Sequence, residues 1–227
     1  MALILLIETA TSVCSVALSR DGQVVSFRER NEPNIHASQL TLFIEAVMKE
    51  ARVKFKDLSA VSVSKGPGSY TGLRIGVSTA KGLCYALNIP LIAIDTLKAM
   101  ASGFRATAEG LTENTRLCPM IDARRMEVYM SVFTPDLASV EPVQARILDE
   151  HSFESYPEII LFGDGARKCE SLYGDRAGIR IAEFDNSARY LASLAFDKFE
   201  EKDFEDVAYF EPFYLKDFVA GKPKGTA

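Results

Sequence analysis

A glycine-rich loop between two apolar segments constrains the fold of this chain more than any other feature. The loop, KGPGSYTGLRIG, runs from Lys65 to Gly76. Residues 60–64 alternate apolar and polar side chains, which predicts a half-buried strand, and residues 71–87 predict a helix. A strand that turns tightly into a helix leaves free backbone N–H groups at the positive end of the helix dipole. Such a turn can hold an anion, hold the backbone of a partner, or simply connect the two elements.

Spacing excludes two common phosphate-binding loops. A Walker loop needs four residues between its glycines and then Lys and Ser or Thr. Here five residues separate Gly66 from Gly72, and Leu73 and Arg74 follow. A dinucleotide fingerprint needs a third glycine where this chain has Thr71. The loop is therefore neither a P-loop nor a Rossmann turn.

The composition is that of a globular protein. The chain has 227 residues, of which 48% are hydrophobic and 25% charged, enough for one large or two small domains. A net charge of −5 argues against stand-alone binding of nucleic acid, which usually needs a basic surface. Residues 1–7 are apolar but lack a basic flank and are too short for a signal peptide or a membrane span. We therefore expect a cytoplasmic protein that has no contact with a membrane.

The four cysteines, Cys14, Cys84, Cys118 and Cys169, form no CxxC pair. Each lies in an apolar context, which favours buried thiols in a reducing compartment over metal ligands.

The pattern of apolar residues predicts the same series of elements twice, separated by a polar break at residues 108–114. In the first half we predict strands at 2–8, 13–19, 23–30, 60–64 and 90–94, and helices at 36–51, 71–87 and 96–107. In the second half we predict strands at 115–121, 126–134, 139–148, 158–162 and 178–182, and helices at 149–155, 166–173 and 186–202. Asp185 or Asn186 is the expected N-cap of the last helix.

A tandem βββαβαβα order is typical of the two-lobed, ribonuclease H-like α/β fold shared by actin-like proteins, sugar kinases and Hsp70 ATPases. We therefore expect an N-terminal lobe over residues 1–107, carrying partner-docking helices, and a C-terminal lobe over residues 115–227. The last residues, 221–227, are expected either to fray or to pack back on the protein.

Several segments resemble the bacterial TsaB (YeaZ-like) family along nearly the whole chain. They are residues 7–11, 14–18, 66–76, 121–129, 163–166 and 212–216. The glycine motif GPGSYTGLRIG, residues 66–76, is the most specific of these matches.

The resemblance implies a scaffold subunit without catalysis of its own. TsaB proteins pair with TsaD, their catalytic relative, and with the ATPase TsaE they make threonylcarbamoyladenosine (t6A) beside the tRNA anticodon. It implies a heterodimer with TsaD, contact with TsaE, a homodimer when the chain is alone, and tRNA contact only through the complex. No cofactor is expected to be required by the chain itself, although ATP or ADP is a candidate ligand at the boundary with TsaD.

The histidines independently favour the absence of a catalytic metal. Only His36 and His151 occur, and Leu40 stands where an HxxxH motif starting at His36 would need its second histidine. A catalytic metal usually needs about three converging protein ligands. We expect His36 to be a surface or capping side chain at the start of its helix.

A candidate nucleotide or anion loop combines the glycine motif with residues from other turns. ATPases of this superfamily have an aspartate at the end of their first strand, where this chain has Glu8. Glu8 either plays a metal role or ties down the following turn through hydrogen bonds to the backbone. The full candidate set is Glu8, Thr9, Thr11, Gly66, Gly68, Ser69, Tyr70, Thr71, Arg74, Gly163 and Gly165.

A second candidate site is a docking surface for TsaD on the helices at 36–51 and 71–87. Gly72, Gly76 and Ala80 follow one another at four-residue spacing, so they form a ridge of small residues that another helix can approach. The alternative is that this ridge packs inside its own lobe. The predicted interface consists of His36, Leu40, Phe43, Val47, Gly72, Leu73, Gly76, Val77 and Ala80. Arg74 either meets a phosphate near this boundary or is a plain exposed side chain.

Three classes of function remain open at this point. A scaffold subunit is the first. An ATPase or small-molecule kinase of the same fold is the second, and it would turn over ATP as an isolated chain. The third is the protease activity once attributed to this wider family. It needs a metal or an activated nucleophile, and the two histidines offer no Ser/His/Asp or Cys/His set.

Overall fold

A computed structural model describes residues 1–174 and 176–216 of the protein. The first half contains five strands and three helices: β1 (Leu3–Glu8), β2 (Val13–Arg20), β3 (Gln23–Asn31), α1 (His36–Glu50), β4 (Ala60–Gly66), α2 (Tyr70–Leu87), β5 (Leu91–Asp95) and α3 (Thr96–Thr107). A single 3₁₀ turn at Phe55–Asp57 precedes β4. The order and type of every predicted element in this half are confirmed.

The second half repeats the strands but not the helices. Its elements are β6 (Thr115–Asp122), β7 (Glu127–Phe133), β8 (Ser139–Ile147), β9 (Glu158–Phe162), α4 (Glu170–Tyr173), β10 (Ile179–Ala182) and α5 (Ala192–Glu201). The strands form two five-stranded sheets, ordered β3-β2-β1-β4-β5 and β8-β7-β6-β9-β10. The first strand of each half pairs antiparallel with the second and parallel with the fourth. The two sheets therefore share one topology, as the tandem prediction requires.

Alternate residues of β1 face two different helical layers. Leu5 and Ile7 pack with α1 and α2 on one side of the first sheet. Ile4 and Leu6 pack on the other side, with residues of α5. Because all six residues of β1 are buried on both faces, the strand is apolar nearly throughout, as a central strand should be.

The last helix of each half packs across the predicted boundary at residues 108–114. Leu97 and Met100 of α3 pack into the core of the second sheet. In the other direction, Ala192 and Ala195 of α5 join the core of the first sheet. The break at residues 108–114 separates the two sheets, but each lobe packs the final helix of the other half. The predicted boundaries at 107 and 115 therefore describe the sheets and not these two helices.

Three predicted helices of the second half were wrong in extent or type. Residues 149–155 form turns instead of a helix. The carboxylate of Asp149 accepts bonds from the backbone N–H of His151 and from the hydroxyl of Ser152, and these compete with helical bonding. The predicted helix at 166–173 is a 3₁₀ segment, Asp164–Cys169, followed by the four residues of α4.

The helix predicted at 186–202 begins with 3₁₀ geometry at Ala188–Leu191 and becomes α5 only from Ala192. Its cap is the hydroxyl of Ser187, which accepts the N–H of Arg189, and not Asp185 or Asn186. The chain then returns to the first lobe, and residues 205–216 are called the C-terminal strap below. The predicted fraying at 221–227 lies outside the described residues. Within the described part of the chain, no helix combines the length and apolar character needed to cross a membrane.

Candidate functional site

A cleft of about 430 Å³ lies between the two lobes. Thr11 of the β1–β2 turn and Ser69 and Thr71 at the start of α2 line its first wall. Asp122 at the end of β6 and Arg124 in the turn before β7 line its second wall. Three strap residues, Tyr214, Leu215 and Lys216, complete the lining.

The glycine-rich loop is shaped by contacts with its own chain. A side chain at Gly68 would overlap the carbonyl oxygen of Ala10, and one at Gly72 would overlap that of Thr9. Ser69 donates its backbone N–H to the Ala10 carbonyl over 2.7 Å. The β1–β2 turn therefore lies directly against the loop, where an anion-binding turn would leave room for a ligand.

Glu8 is sealed inside the protein. It has no exposed surface, and its Oε1 accepts the N–H of Ala10 at 2.6 Å and the hydroxyl of Ser64 at 2.8 Å. Burial raises the pKa of this carboxyl, and the hydrogen bonds from Ala10 and Ser64 only partly oppose that rise. Glu8 thus ties down the turn after β1, which was one of the two interpretations of its role.

The cleft does not fit a magnesium-bound nucleotide held in the manner expected from the superfamily. That arrangement needs an ionised carboxylate that faces the cleft from the end of β1, and Glu8 does not reach it. In addition, the Ala10 carbonyl already accepts the backbone N–H of Ser69 at the start of α2.

The predicted loop residues are only partly brought together. Five of them line the cleft: Thr11, Gly68, Ser69, Tyr70 and Thr71. Glu8 and Thr9 lie beneath the turn, and Gly66 lies against the backbone of Phe213. Gly163 and Gly165 lie against the backbone of β6, so they are explained by close packing of the chain. Arg74 is exposed in a neighbouring groove, with its guanidinium 5.4 Å from the ring centre of Tyr70.

Sequence reasoning missed the second wall of the cleft. Asp122 accepts hydrogen bonds from the backbone N–H of Arg124 at 2.6 Å and from Lys168 at 2.5 Å. Arg124 and Arg125 have φ angles of 72° and 50°, a left-handed conformation that non-glycine residues adopt uncommonly. The family-like segment 121–129 was the available signal, because it contains this turn.

The predicted docking residues lie mainly inside the lobe. Leu40, Val47, Leu73, Val77 and Ala80 are all buried in its core. A side chain at Gly76 would overlap the Thr9 hydroxyl. The small-residue ridge of α2 therefore packs within its own lobe, which was the stated alternative.

His36 departs from its expected place at the surface. Only 7% of it is exposed, its Nε2 lies 3.3 Å from the Val13 carbonyl oxygen, and it caps no helix. Burial lowers the pKa of its imidazole. A buried neutral imidazole with a carbonyl partner is a structural side chain.

The outer faces of α1 and α2 carry a different set of residues. Leu42 on α1 is 53% exposed and Tyr85 on α2 is 86% exposed. Gly82 has open space around its Cα, and Arg74, Ser78 and Ala86 are exposed on the same helix. These positions are available to a partner without unfolding the lobe.

Comparison with known proteins agrees with the topology and the motifs. A family model described as TsaD, tRNA N6-adenosine threonylcarbamoyltransferase, matches residues 33–152. The tRNA threonylcarbamoyladenosine biosynthesis protein TsaB of Escherichia coli is 31% identical in an alignment 229 positions long, which covers 96% of each chain. The chain belongs to the TsaB family.

Solved structures agree with this assignment. A Pseudomonas aeruginosa protein described as similar to the peptidase YeaZ superposes with a TM-score of 0.80 at 25% identity, over 95% of this chain and all of that one. An inorganic polyphosphate/ATP-glucomannokinase of Arthrobacter matches with a TM-score of 0.52 at 10% identity, over 89% of this chain and all of that one. This TsaB-family chain therefore has the two-lobed actin-like and sugar-kinase fold.

The TsaB-family chain shows no cluster of three or more His, Cys, Asp and Glu side chains able to hold a metal within residues 1–174 and 176–216. His151 lies at the surface, beside Glu150 and Glu154. All four cysteines are buried free thiols, as predicted, and burial raises the pKa of Cys14 and Cys84 to about 11. Thiols of that kind are poor nucleophiles near neutral pH.

Proposed function

We propose that this chain is a non-catalytic subunit in t6A biosynthesis, which contacts a TsaD enzyme through the outer faces of α1 and α2. The observation that carries the proposal is the exposed pair of helices on the first lobe, considered with the membership of the TsaB family. Both helices pack on one side of the first sheet and contact each other, so their outer residues form a continuous surface.

The residues that carry this docking differ from those expected from sequence. We place the contact at Leu42 on α1 and at Ser78, Gly82 and Tyr85 on α2. A large exposed tyrosine is a common interface anchor, since it buries much area at low entropic cost. Gly82, open and on the same helix, permits close approach of a partner helix. The buried set around Gly76 supports this surface from below.

The lack of catalysis is supported by the chemistry of the described residues. Glu8 is sealed, His36 is buried against a carbonyl, and the cysteines have raised pKa values. The carboxylate of Asp122 is engaged by Lys168. We therefore propose that TsaD supplies the chemistry, and that tRNA and TsaE meet this chain only as parts of a cytoplasmic complex.

A nucleotide is proposed only at the boundary with TsaD. Arg74 is exposed on α2, where its Nη1 donates to the Tyr70 hydroxyl over 3.3 Å. Because the side chain is exposed, its charge is available to a phosphate brought by the partner. The chain alone requires no cofactor in this proposal. When TsaD is absent, the same outer surface is expected to pair with a second copy of the chain.

Reconstitution tests the proposal directly. The t6A content of unmodified tRNA is measured after incubation with TsaD, TsaE, ATP, threonine and a source of threonylcarbamoyl-adenylate, with and without this chain. We expect modification to depend on the chain, and ATP hydrolysis by the chain alone to equal the buffer blank. Undiminished modification without the chain contradicts the scaffold role. Hydrolysis by the purified chain at an enzyme-like rate favours the alternative, an ATPase or small-molecule kinase.

A further inference from the structure

The C-terminal strap is attached to the first lobe at several points along its length. Glu205 donates its N–H to the Leu91 carbonyl at the free edge of β5, over 2.9 Å. The ammonium of Lys81 on α2 then bonds the strap carbonyls of Ala208 at 3.2 Å and Phe210 at 2.8 Å. The strap is therefore held to both the sheet and the second helix.

The end of the strap lies against the glycine-rich loop. Phe213 donates its N–H to the Lys65 carbonyl over 2.7 Å, and a side chain at Gly66 would meet the Phe213 carbonyl oxygen at 2.5 Å. The ring of Tyr214 packs on that of Tyr70, the first residue of α2, with 4.8 Å between centroids. A glycine at position 66 is thus explained by the passage of the strap.

The strap then crosses to the second lobe. The ammonium of Lys216 pairs with the carboxylate of Glu127, the first residue of β7. The last three described residues of the strap line the inter-lobe cleft, so the strap crosses between the lobes beside the cleft. Other connections between the two halves include the exchanged helices α3 and α5 and the segment before α5, where Arg189 pairs with Glu29 of β3.

We propose that the C-terminal strap is a tie that holds the two lobes at a fixed angle across the cleft, through Tyr214 on α2 and Lys216 on β7. A contact beside the cleft opposes separation of the two cleft walls at the cleft itself. The tie also links the first turn of α2 to the second lobe. This inference goes beyond the docking role and does not depend on it.

The test measures the separation of the lobes in the chain alone. Spin labels are placed at Lys56→Cys on the first lobe and Val140→Cys on the second, both exposed positions. The native thiols are buried, so they compete poorly for the label. The labelled chain is diluted with unlabelled chain so that pulsed electron resonance reports distances within one molecule.

We expect the double variant Tyr214→Ala/Lys216→Ala to shift the distance distribution to longer and broader values. The matched control is Tyr209→Ala/Lys49→Ala, which removes an 84% exposed ring of the same strap and an exposed lysine elsewhere. The control should reproduce the parent distribution. If the parent and Tyr214→Ala/Lys216→Ala give the same distance distribution, the proposal is overturned.

A second measurement keeps the test decisive if the double variant folds poorly. Lys216→Ala and Glu127→Ala each remove one half of an ion pair at partly exposed positions, so both variants should fold. If the ion pair ties the lobes, each single variant should lengthen the distance between the spin labels. The combined variant Lys216→Ala/Glu127→Ala should lengthen it no further than either single variant does. Additive or absent shifts contradict it. Because TsaD is absent throughout, failure here leaves the docking proposal standing.

Discussion

The two lobes share one sheet order but differ in what covers their sheets. The first lobe carries α1, of 15 residues, and α2, of 18 residues, on one side of its sheet. At the corresponding places the second lobe has turns at 149–155 and the 3₁₀ segment with the four-residue α4. The strand topology is therefore repeated, but only the first lobe has an outer surface of long helices. The proposed docking function lies on that surface.

Aromatic side chains explain how the second lobe remains packed without long helices. Phe153 and Tyr173, both 1% exposed, meet edge to face with 5.5 Å between their centroids in the core of the second sheet. These two large rings, one from a turn and one from the four-residue α4, cover a sheet face because aromatic side chains bury a large area each. A covering of this kind presents no continuous helical face to a partner.

Gly76 is a position where the first lobe leaves no room for a side chain. Gly76→Arg forces a side chain into the Thr9 hydroxyl, so we expect the free energy of unfolding to fall by about 3 kcal/mol, in the upper range for overpacking. Urea titration followed by circular dichroism measures it. A stable Gly76→Arg protein would mean that the ridge faces outward after all.

Gly82→Arg on the same helix separates docking from folding. Its surroundings are open, so stability should be equal or slightly higher, since glycine is a poor helix former. Binding to TsaD, measured by titration calorimetry, should weaken about 100-fold if a charge enters the interface. The control is Ile147→Arg on β8, a 72% exposed position of the second lobe, which should bind normally. Equal weakening by both variants would remove the distinction between the lobes.

Tyr85→Ala examines a single anchor on the proposed surface. We expect TsaD affinity to fall about 30-fold, because truncating an interface hot spot costs about 2 kcal/mol, with stability unchanged. Tyr209→Ala is the matched control, because its ring is equally exposed at 84%, against 86% for Tyr85, but lies on the strap. Unchanged affinity for Tyr85→Ala would move the interface away from the end of α2.

Glu8→Gln tests the sealed carboxyl of the first lobe through pH. Burial raises the pKa of Glu8 above its unfolded value of about 4.3, so the folded state keeps the proton to higher pH. Its contribution to stability is full below that value and is lost as pH rises through the folded pKa. Glutamine keeps a neutral acceptor and has no proton to lose. In urea titrations the free energy of unfolding of the variant should therefore gain on that of the parent as pH rises above about 4.3. The control is Glu45→Gln at an exposed position, which should leave the pH dependence of stability unchanged. If the stability curves of Glu8→Gln and the parent ran parallel with pH, Glu8 would be an ionised carboxylate in the folded protein.

The parts of the first lobe predicted from sequence were those set by local patterns. Asp21 and Gly22, with φ angles of 48° and 78°, form the hairpin turn that their residue types favour. Leu40, Ile44 and Val47 of α1 follow one another at three- to four-residue spacing, and all three are buried in the core of the first lobe. In the second half, Asp149 and Ser152 formed side-chain bonds that replaced a helix, and periodicity gives no warning of that.

The candidate sites could be predicted only in part because they depend on which surfaces meet. Gly72 and Gly76 were identified as a ridge open to close approach, and the structure shows that the neighbour is Thr9 of the same chain. His36 was placed at the surface, yet the β2 backbone covers it. Arg124 and Lys216 entered the cleft lining from turns far apart in sequence, with no local signal to join them.

The sequence by itself determined the tandem order of strands, the family resemblance and the buried, unpaired cysteines. Each of these depends on residue type and near-neighbour spacing, which a linear chain displays directly. Only the tertiary structure decided that the lobes exchange α3 and α5, that the glycine loop is filled by its own β1–β2 turn, and that the strap crosses the cleft. Those features arise from contacts between segments far apart in the chain, and a local sequence pattern does not show which other segment a surface packs against.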